Sequence, residues 1–595
     1  MRLRNYIKIM STAALAVFLF IQTANADTLG QRITFFIDPQ FDDQKDATLS
    51  ATLKLISRHA YFYIGDDYWN KLAGDQRASA LNSINDLASE FDNRIYPTER
   101  KHFGSEPLPG IDNDERITIL LTPLIENAGG YYDTTNQYSR QLVPQSNQRE
   151  LIYLNALALN QQRKVSSFLA HEFQHLISFN EKEITRDTSD DIWLNELRSE
   201  YALTLLGYND NFNGSSLERR LLHLLNSPYD SLTEWKNLSP DYGQVAMFGE
   251  YLAERTSAKV ITDTLKNNLP GIRSINESLK QNGFSTSFAE IYRDWLIANI
   301  LNDNSKGIGF GFIKNELNSF RVKPSNILRN LGNDVIFEIN DNVKDWAGGW
   351  YEVSDFMSGP GQDGSDILKI DITSSSITSF RISIIIFNND GSVTARDFDP
   401  SSSANSFYLD GINTNFNKVI IMPFKKDRLS GFSSNETAIS IHIDIKRIDE
   451  IPANSIAIDR PAAVMTDTDN STADSVTENT QTNLPEFADG ALLRAKGDAK
   501  VYVINGKWRR HIVSPRIFDF YPHLGFDKVI EVEPEIIADY KESRLIRYAE
   551  DEKVYEVSGT DAKRWLNITP EQFISQGYKW DQIFIINDLE LGYYR

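Results

Sequence analysis

The chain has 595 residues, with 61 Lys and Arg against 82 Asp and Glu. Its formal net charge of −21 and pI near 4.9 exclude a protein that grips nucleic acid through a general basic surface. Zero cysteine excludes disulfides and thiolate metal sites alike, and the length allows several domains stabilised by buried cores.

The first predicted element is an export signal over 1–26. Residues 1–8 are basic, 9–21 are apolar, and Ala24-Asn25-Ala26 supplies the small residues of a cleavage site. The apolar run is too short to span a bilayer, so the expectation is a signal peptide and no stable transmembrane anchor. The mature chain is then exported from a bacterium, to an extracellular, periplasmic or cell-surface location.

Residues 27–160 mix strands, over 32–37 and 116–121, with helices such as 79–91. Asp112-Asn113-Asp114-Glu115 is an oxygen-rich loop of the kind that holds Ca2+ or makes a solvated turn; Tyr208-Asn209-Asp210-Asn211-Phe212-Asn213-Gly214 is another. An apolar strand follows over 150–157. It is a candidate for pairing with a substrate backbone, and equally for an internal place in the sheet.

His171-Glu172-Phe173-Gln174-His175 comes next, in a chain with only eight histidines. On a helix, positions i and i+4 share a face, so both imidazoles can address one metal ion, and Glu172 sits where it can take a proton from water there. Ser166-Ser167 is the expected N-cap, and Phe168, Leu169, Phe173, Leu176 and Ile177 form the apolar stripe. Ser178 and Glu181 stand where an extended three-histidine motif would need Gly and His, so the third ligand comes from elsewhere. A second helix is predicted over 189–207, capped by Ser189-Asp190-Asp191 and closed by Gly207. Glu196 and Glu200 lie one turn apart on it: one carboxylate can bind the metal while the other fixes a ligating imidazole. Two histidines and one carboxylate leave a zinc position open for catalysis.

At these residues the chain resembles the gluzincin metallopeptidases, and most closely the hyicolysin-type secreted neutral zinc peptidases. The resemblance is carried by H-E-F-Q-H, by W-L-N-E-L-R-S-E-Y-A from Trp193, by the 111–120 segment and by Gly129-Gly130-Tyr131-Tyr132, and it spans about residues 30–300. It implies that His171, His175 and Glu196 bind Zn2+, that Glu172 is the general base, and that Glu200 and Asn195 support the ligands. Glu200 departs from the Asp of thermolysin-like members, and Leu197-Arg198 from the small residue common after the ligand. The resemblance further implies an α+β zincin-like catalytic domain over 27–330, with a mixed-sheet lobe and a helical lobe flanking the cleft.

Peptide hydrolysis needs a second donor for the tetrahedral oxyanion, and Tyr242 and His223 are the candidates downstream. No amine-binding segment of the aminopeptidase type is present, which favours internal cleavage. A helix over 287–301 carries Phe288, Ile291, Tyr292, Trp295 and Leu296 as a core stripe. From 335 to 450 the apolar period becomes two, as in Ile439-Ser440-Ile441-His442-Ile443, with turn signals such as Asn389-Asp390-Gly391; this predicts a β-sandwich that positions substrate or stabilises the protease, with His442 improbable as a ligand.

Residues 455–488 are rich in Ser, Thr, Asn and Asp and predict a flexible linker. The segment 490–595 is a tandem repeat, about 490–541 and 543–595: Lys500-Val501-Tyr502 recurs as Lys553-Val554-Tyr555 and Ser514-Pro515 as Thr569-Pro570. It resembles modules of bacterial surface and secreted proteins, a duplicated α+β unit. Its basic and aromatic residues suit an envelope or surface polymer, or the unit is a stabilising cap. The expected function is an exported zinc endopeptidase acting on protein or peptide. The alternatives are a surface-binding protein with a subordinate protease domain and a zinc hydrolase of a non-peptide amide.

Overall fold

Apolar residues in the first part of the chain gather into a six-stranded mixed sheet. Its strands are β1 (Arg32–Phe36), β2 (Thr48–Ile56), β3 (Ala60–Gly65), β4 (Ile117–Thr122), β5 (Gly130–Tyr132) and β6 (Leu151–Asn155), in the order β1-β2-β3-β4-β6-β5. The computed structural model describes residues 26–357, 367–401, 404–452, 487, 490–496, 500–521, 525, 528–548, 553–558, 562–568, 573, 578–579 and 582–594. Apart from Ala26 and Phe487, the predicted signal and linker lie outside the described residues. The fold divides into two compact units, Met1–Ala462 and Ala463–Arg595.

In the first unit β1, β2 and β3 form an antiparallel meander, β3, β4 and β6 run parallel, and β5 closes the edge antiparallel to β6. Strands β3, β4 and β6 are buried along their whole length. Ile119, Leu121, Ile152 and Leu154 pack into the core shared with Leu169, Phe173 and Leu176, and Leu120, Leu151 and Tyr153 into the layer opposite. Cover on both faces explains why these strands read as unbroken apolar runs. Because β6 is paired on both sides, it offers no free edge; β5 is the edge strand on that side of the sheet, and β1 on the other.

Helices α1 (Asp66–Lys71), α2 (Gly74–Glu90) and α3 (Tyr96–Phe103) connect β3 to β4. Helix α2 starts ahead of the predicted 79, where the Gln76 side chain accepts the Ala73 N–H at 2.8 Å. The helical lobe follows as α4 (Gln162–Phe179), α5 (Ile192–Leu205), α6 (Ser216–Asn226), α7 (Ser239–Arg255), α8 (Ala258–Asp263), α9 (Gly271–Gln281) and α10 (Phe288–Leu301).

Two predicted caps are corrected. Helix α4 begins at Gln162, so Ser166 and Ser167 lie inside it: buried Val165 extends the apolar stripe backwards, and Ser167 Oγ bonds the Lys164 carbonyl at 2.8 Å. Helix α5 begins at Ile192 with Asp191 at the N-cap position as expected, but no side chain caps it, because Asp190 and Asp191 spend their carboxylates on other segments. Gly207, at φ 71°, follows the end of α5 as expected. Helix α10 is capped by Ser287, whose Oγ accepts from the Glu290 N–H while Glu290 bonds the Ser287 N–H at 2.7 Å.

Two sheets follow. One contains β8 (Ile336–Val343), β10 (Ile367–Ser374), β13 (Ser406–Asp410) and β15 (Ile439–Ile448). The other contains β7 (Asn326–Arg329), β9 (Tyr351–Ser354), β11 (Phe380–Asn388), β12 (Val393–Phe398) and β14 (Phe416–Lys425). Strand β7 pairs parallel to β9, so this sheet begins ahead of position 335. Ile441, Ile443 and Ile445 point into the core between the sheets, whereas His442 turns outward to Asn340 Oδ1 at 2.7 Å and Asp444 at 2.9 Å. Ile385, Ile420, Met422 and Phe424 instead join the core of the helical lobe with Trp295 and Trp346. The five-stranded sheet is therefore apolar on both faces and lies against the helical lobe.

In the second unit, β16 (Leu492–Ala495), β17 (Val501–Asn505) and β18 (Trp508–His511) form a meander, with β19 (Val529–Val532) parallel to β16 and β20 (Lys541–Glu542) parallel to β18. Strands β21 (Leu545–Tyr548), β22 (Val554–Ser558), β23 (Ala562–Trp565) and β24 (Ile583–Ile586) trace the same path, β24 being parallel to β21. Helices Pro534–Asp539 and Asp588–Tyr593 follow β19 and β24.

Candidate metal centre

Helix α4 presents His171 and His175 one turn apart, and the neighbouring α5 brings Glu196 to them. The two Nε2 atoms face each other at 3.2 Å; Glu196 Oε2 is 3.2 Å from His171 Nε2, and Oε1 is 3.6 Å from His175 Nε2. Among the described residues this is the one set of three or more such side chains whose ligand atoms gather, all within 4.8 Å of one another. Two imidazole nitrogens and a carboxylate converging on one point fit a zinc ion.

The outer side of each imidazole is also held. Ser199 Oγ donates to Gln174 Oε1 at 2.6 Å, which leaves a lone pair to accept from His175 Nδ1 at 3.2 Å. That bond puts the His175 proton on Nδ1 and frees Nε2 for a metal. Glu200 Oε1 lies 3.7 Å from His171 Nδ1 and accepts from Arg220 Nη2 at 2.5 Å. Burial works against the charge of Glu200, but Arg220 outweighs it and holds the pKa below the ordinary value. Ser199 and Arg220 are passed over when the motifs are read alone. Ser199 could have been found as the position between Glu196 and Glu200 on one helix face; nothing in the sequence links Arg220 to Glu200.

When no metal is bound, burial disfavours a charged His171, but Glu196, Glu172 and Glu200 outweigh it and raise its pKa from 6.5 to about 9. Burial equally opposes the ionised Glu196, and the two imidazoles overcome it, leaving that carboxylate far below its usual range. A raised histidine stabilises the metal-free fold fully below pH 6.5, and this contribution is lost as pH rises through about 9. Zinc competes for the same nitrogen. Between roughly pH 7 and 8.5 the apparent zinc dissociation constant is expected to fall about tenfold per pH unit in competition with a chromophoric chelator. A flat profile over that range would contradict the assignment.

Glu172 is buried beside the triad, and burial raises its pKa against the pull of both histidines. The edge strand passes close over it: a Cβ on Gly130 would meet the Tyr153 carbonyl at 2.7 Å and Glu172 Cγ at 3.1 Å. Tyr242, on α7, lies under the Arg220 guanidinium at 4.3 Å from the ring centroid, packs edge-on against Trp235 and donates to Asn237 Oδ1 at 2.8 Å. Burial and the carboxylates of Glu196, Glu172 and Glu200 push its phenol well up, so it stays a donor. The structure thus gathers His171, Glu172, His175, Glu196 and Glu200, and joins the Tyr242 ring to Glu200 through Arg220.

Two further expected residues make no side-chain bond to either imidazole. Asn195 Oδ1 is buried without a hydrogen-bond partner, and the residue makes no bond to either imidazole. His223 sits in the last turn of α6; burial and the neighbouring Arg220 and Arg219 lower its pKa, and its Cβ abuts the start of α7 at Gly243. A cavity of about 670 Å³ lined by Arg94, Gln162, Arg163 and Tyr208 belongs to the N-terminal end of α4 and contains none of the triad.

The calcium expectation finds no support. Asp112 Oδ1 accepts the Asp114 N–H at 2.9 Å and Asp114 Oδ2 the Tyr61 hydroxyl at 2.7 Å, while Asn209 bonds Thr204 Oγ1 at 2.8 Å. Three basic residues of the repeats are committed internally, while others, such as Arg516 and Arg564, lie exposed. Arg510 is buried on Glu590 at 2.7 Å, Lys563 Nζ bonds the Leu591 carbonyl at 2.8 Å, and Arg509 bonds the Ile537 carbonyl.

A histidine pair on one helix, a glutamate between the two, and a carboxylate from the next helix are the marks of a zinc metallopeptidase, and the resemblance read from the motifs holds. The neutral metalloprotease ShpI of Staphylococcus hyicus is 26% identical to this chain over 231 residues, 35% of the chain and 48% of that protein. The chain thus spans about half the length of the curated relative it matches. No protein-family model matches. Among solved structures, the catalytic module of the metalloprotease ZmpA from Clostridium perfringens gives a TM-score of 0.22 at 9% identity, covering 65% of this chain and 67% of that one. The Yersinia pseudotuberculosis-derived mitogen gives 0.14 at 11% identity, covering 22% and 98%. Among the described residues no helix is long and apolar enough to cross a membrane.

Proposed function

We propose that this chain is an exported zinc-dependent endopeptidase. The observation that carries the reading is the convergence of His171, His175 and Glu196 within 4.8 Å, with Glu172 buried beside them. His171, His175 and Glu196 would hold the ion, which when bound supplies a Lewis acid and brings the pKa of water to about 7. Glu172 takes the proton of the attacking water on its carboxylate and hands it to the leaving amine nitrogen. Tyr242 Oη donates to the oxyanion after releasing Asn237. Glu200 and Ser199 hold the imidazoles in orientation. The free edge of β5 pairs with the substrate backbone, placing an extended peptide across the cleft. Export through the segment 1–26 supplies extracellular protein as substrate, and the domain 27–330 carries the chemistry. We read the duplicated unit, 490–595, as a stabilising cap, since Arg509, Arg510 and Lys563 are spent inside it.

Casein hydrolysis and zinc content test the reading together. The purified chain is expected to hold one zinc ion, to lose hydrolysis when a chelator strips it, and to recover when zinc is restored. A chain that takes up no zinc sinks the proposal, and one that binds zinc but cleaves no peptide library removes the endopeptidase part.

A further inference from the structure

The helix that carries Glu196 starts at the junction between the helical lobe and the sheets of 326–448. Asp191, immediately before α5, is buried, and its Oδ1 accepts the N–H groups of Gly431 at 2.9 Å and Phe432 at 3.2 Å, both in the loop between β14 and β15. The same loop makes further contacts with the helical lobe. The Leu429 carbonyl accepts the Ile272 N–H at 3.0 Å, at the start of α9, and the Ser433 carbonyl accepts the Trp235 N–H at 3.2 Å. The Phe432 ring stands edge-on to Trp193, in the first turn of α5, at 6.4 Å. Asp190 completes the junction, accepting the Gly271 N–H at 2.9 Å and pairing with buried Arg198 of α5 at 2.9 Å. Gly271 is in the left-handed region at φ 55°, and a Cβ there would fall 2.0 Å from Asp191 Oδ2. Only glycine lets α9 come this close.

We infer that the loop 429–433 is a clasp that sets the position of Glu196, with Asp191 as the positioning residue; this rests on the zinc-peptidase reading. Glu196 stands five positions beyond Asp191, about 7.5 Å of rigid helical rise, so a shift at the helix start reaches the ligand undiminished. Zinc distances tolerate about 0.2 Å. Through Trp235, whose ring packs on Tyr242 at 4.9 Å, the same loop also touches the segment that aims the phenol. The sheets of 326–448 thereby form part of the metal-site framework, a role distinct from substrate capture.

The test compares Asp191→Ala with Asp191→Asn, which keeps an Oδ1 acceptor for both N–H groups. Phe407→Leu, deep in the sandwich core, controls for general loss of stability. Zinc affinity is read by chelator competition, and the protection of residues 192–205 by amide hydrogen exchange of the full chain. Asp191→Ala is expected to weaken zinc about tenfold or more and to speed exchange in the first turn of α5, while Asp191→Asn stays within about twofold of the parent. Parental zinc affinity in Asp191→Ala, or an equal loss in Phe407→Leu, overturns the clasp. If the parent itself takes up no zinc, the metal reading fails, and exchange alone decides: unchanged protection of α5 in Asp191→Ala then overturns the clasp.

Discussion

Glu172→Gln is expected to remove peptide hydrolysis while the protein keeps its zinc. The amide preserves the volume of a side chain packed beneath Gly130, so β5 need not move, and it leaves His171, His175 and Glu196 untouched. What it loses is the basic oxygen that accepts the water proton. A positioned general base contributes about 10²–10⁴-fold, and the loss should fall on kcat, with KM near that of the parent because substrate contacts persist. Burial already raises the pKa of Glu172, which makes its carboxylate a stronger base than a free glutamate when both histidines are engaged elsewhere. Steady-state kinetics on a peptide reporter, with zinc content measured on the same sample, check this. Retained hydrolysis at full zinc occupancy would transfer the proton role away from Glu172.

The second large effect is expected in the second unit. Arg510 on β18 and Glu590 in the helix Asp588–Tyr593 are both buried and joined at 2.7 and 3.4 Å. Tyr521 and Tyr594 add their hydroxyls to the same carboxylate at 2.6 and 2.8 Å. This pair ties the first repeat to the second through a shared apolar core that includes Leu492, Ile517, Ile546 and Phe584. Glu590→Leu strands a buried guanidinium and two hydroxyls, at a cost of about 3–5 kcal/mol. The double variant Arg510→Met with Glu590→Leu should recover most of it, because desolvation of the charges then disappears with them. Amide exchange of the slowest strands of 490–595 in the full chain reads both. A double variant as unstable as the single one would show that the charge is not the cause.

The chemistry of the centre is legible in one dimension because it is local. His171, Glu172 and His175 lie within two turns of one helix, and Glu196 and Glu200 within one turn of the next, so helical geometry alone puts each set on a face. The strands and the α10 stripe are legible for the same reason: their periodicity records which side is buried. The same locality makes the duplicated pattern of 490–595 visible before any contact is known. What required the tertiary structure is every pairing across distant segments. Arg220 reaches Glu200 from another helix, β5 rather than β6 occupies the sheet edge, and the start of α5 is set by a loop more than two hundred residues away, with Asp191 bonded to Gly431. The side chains of Asp190 and Asp191 resemble helix caps in sequence but are drawn off by Gly271 and Gly431, and Arg510 and Lys563 of the repeats read as part of a basic face but bond a buried carboxylate and a backbone carbonyl. A side chain's type limits the bonds it can make; which partner takes the bond depends on what the fold brings within about 3 Å, and that distance is set by packing of the whole chain.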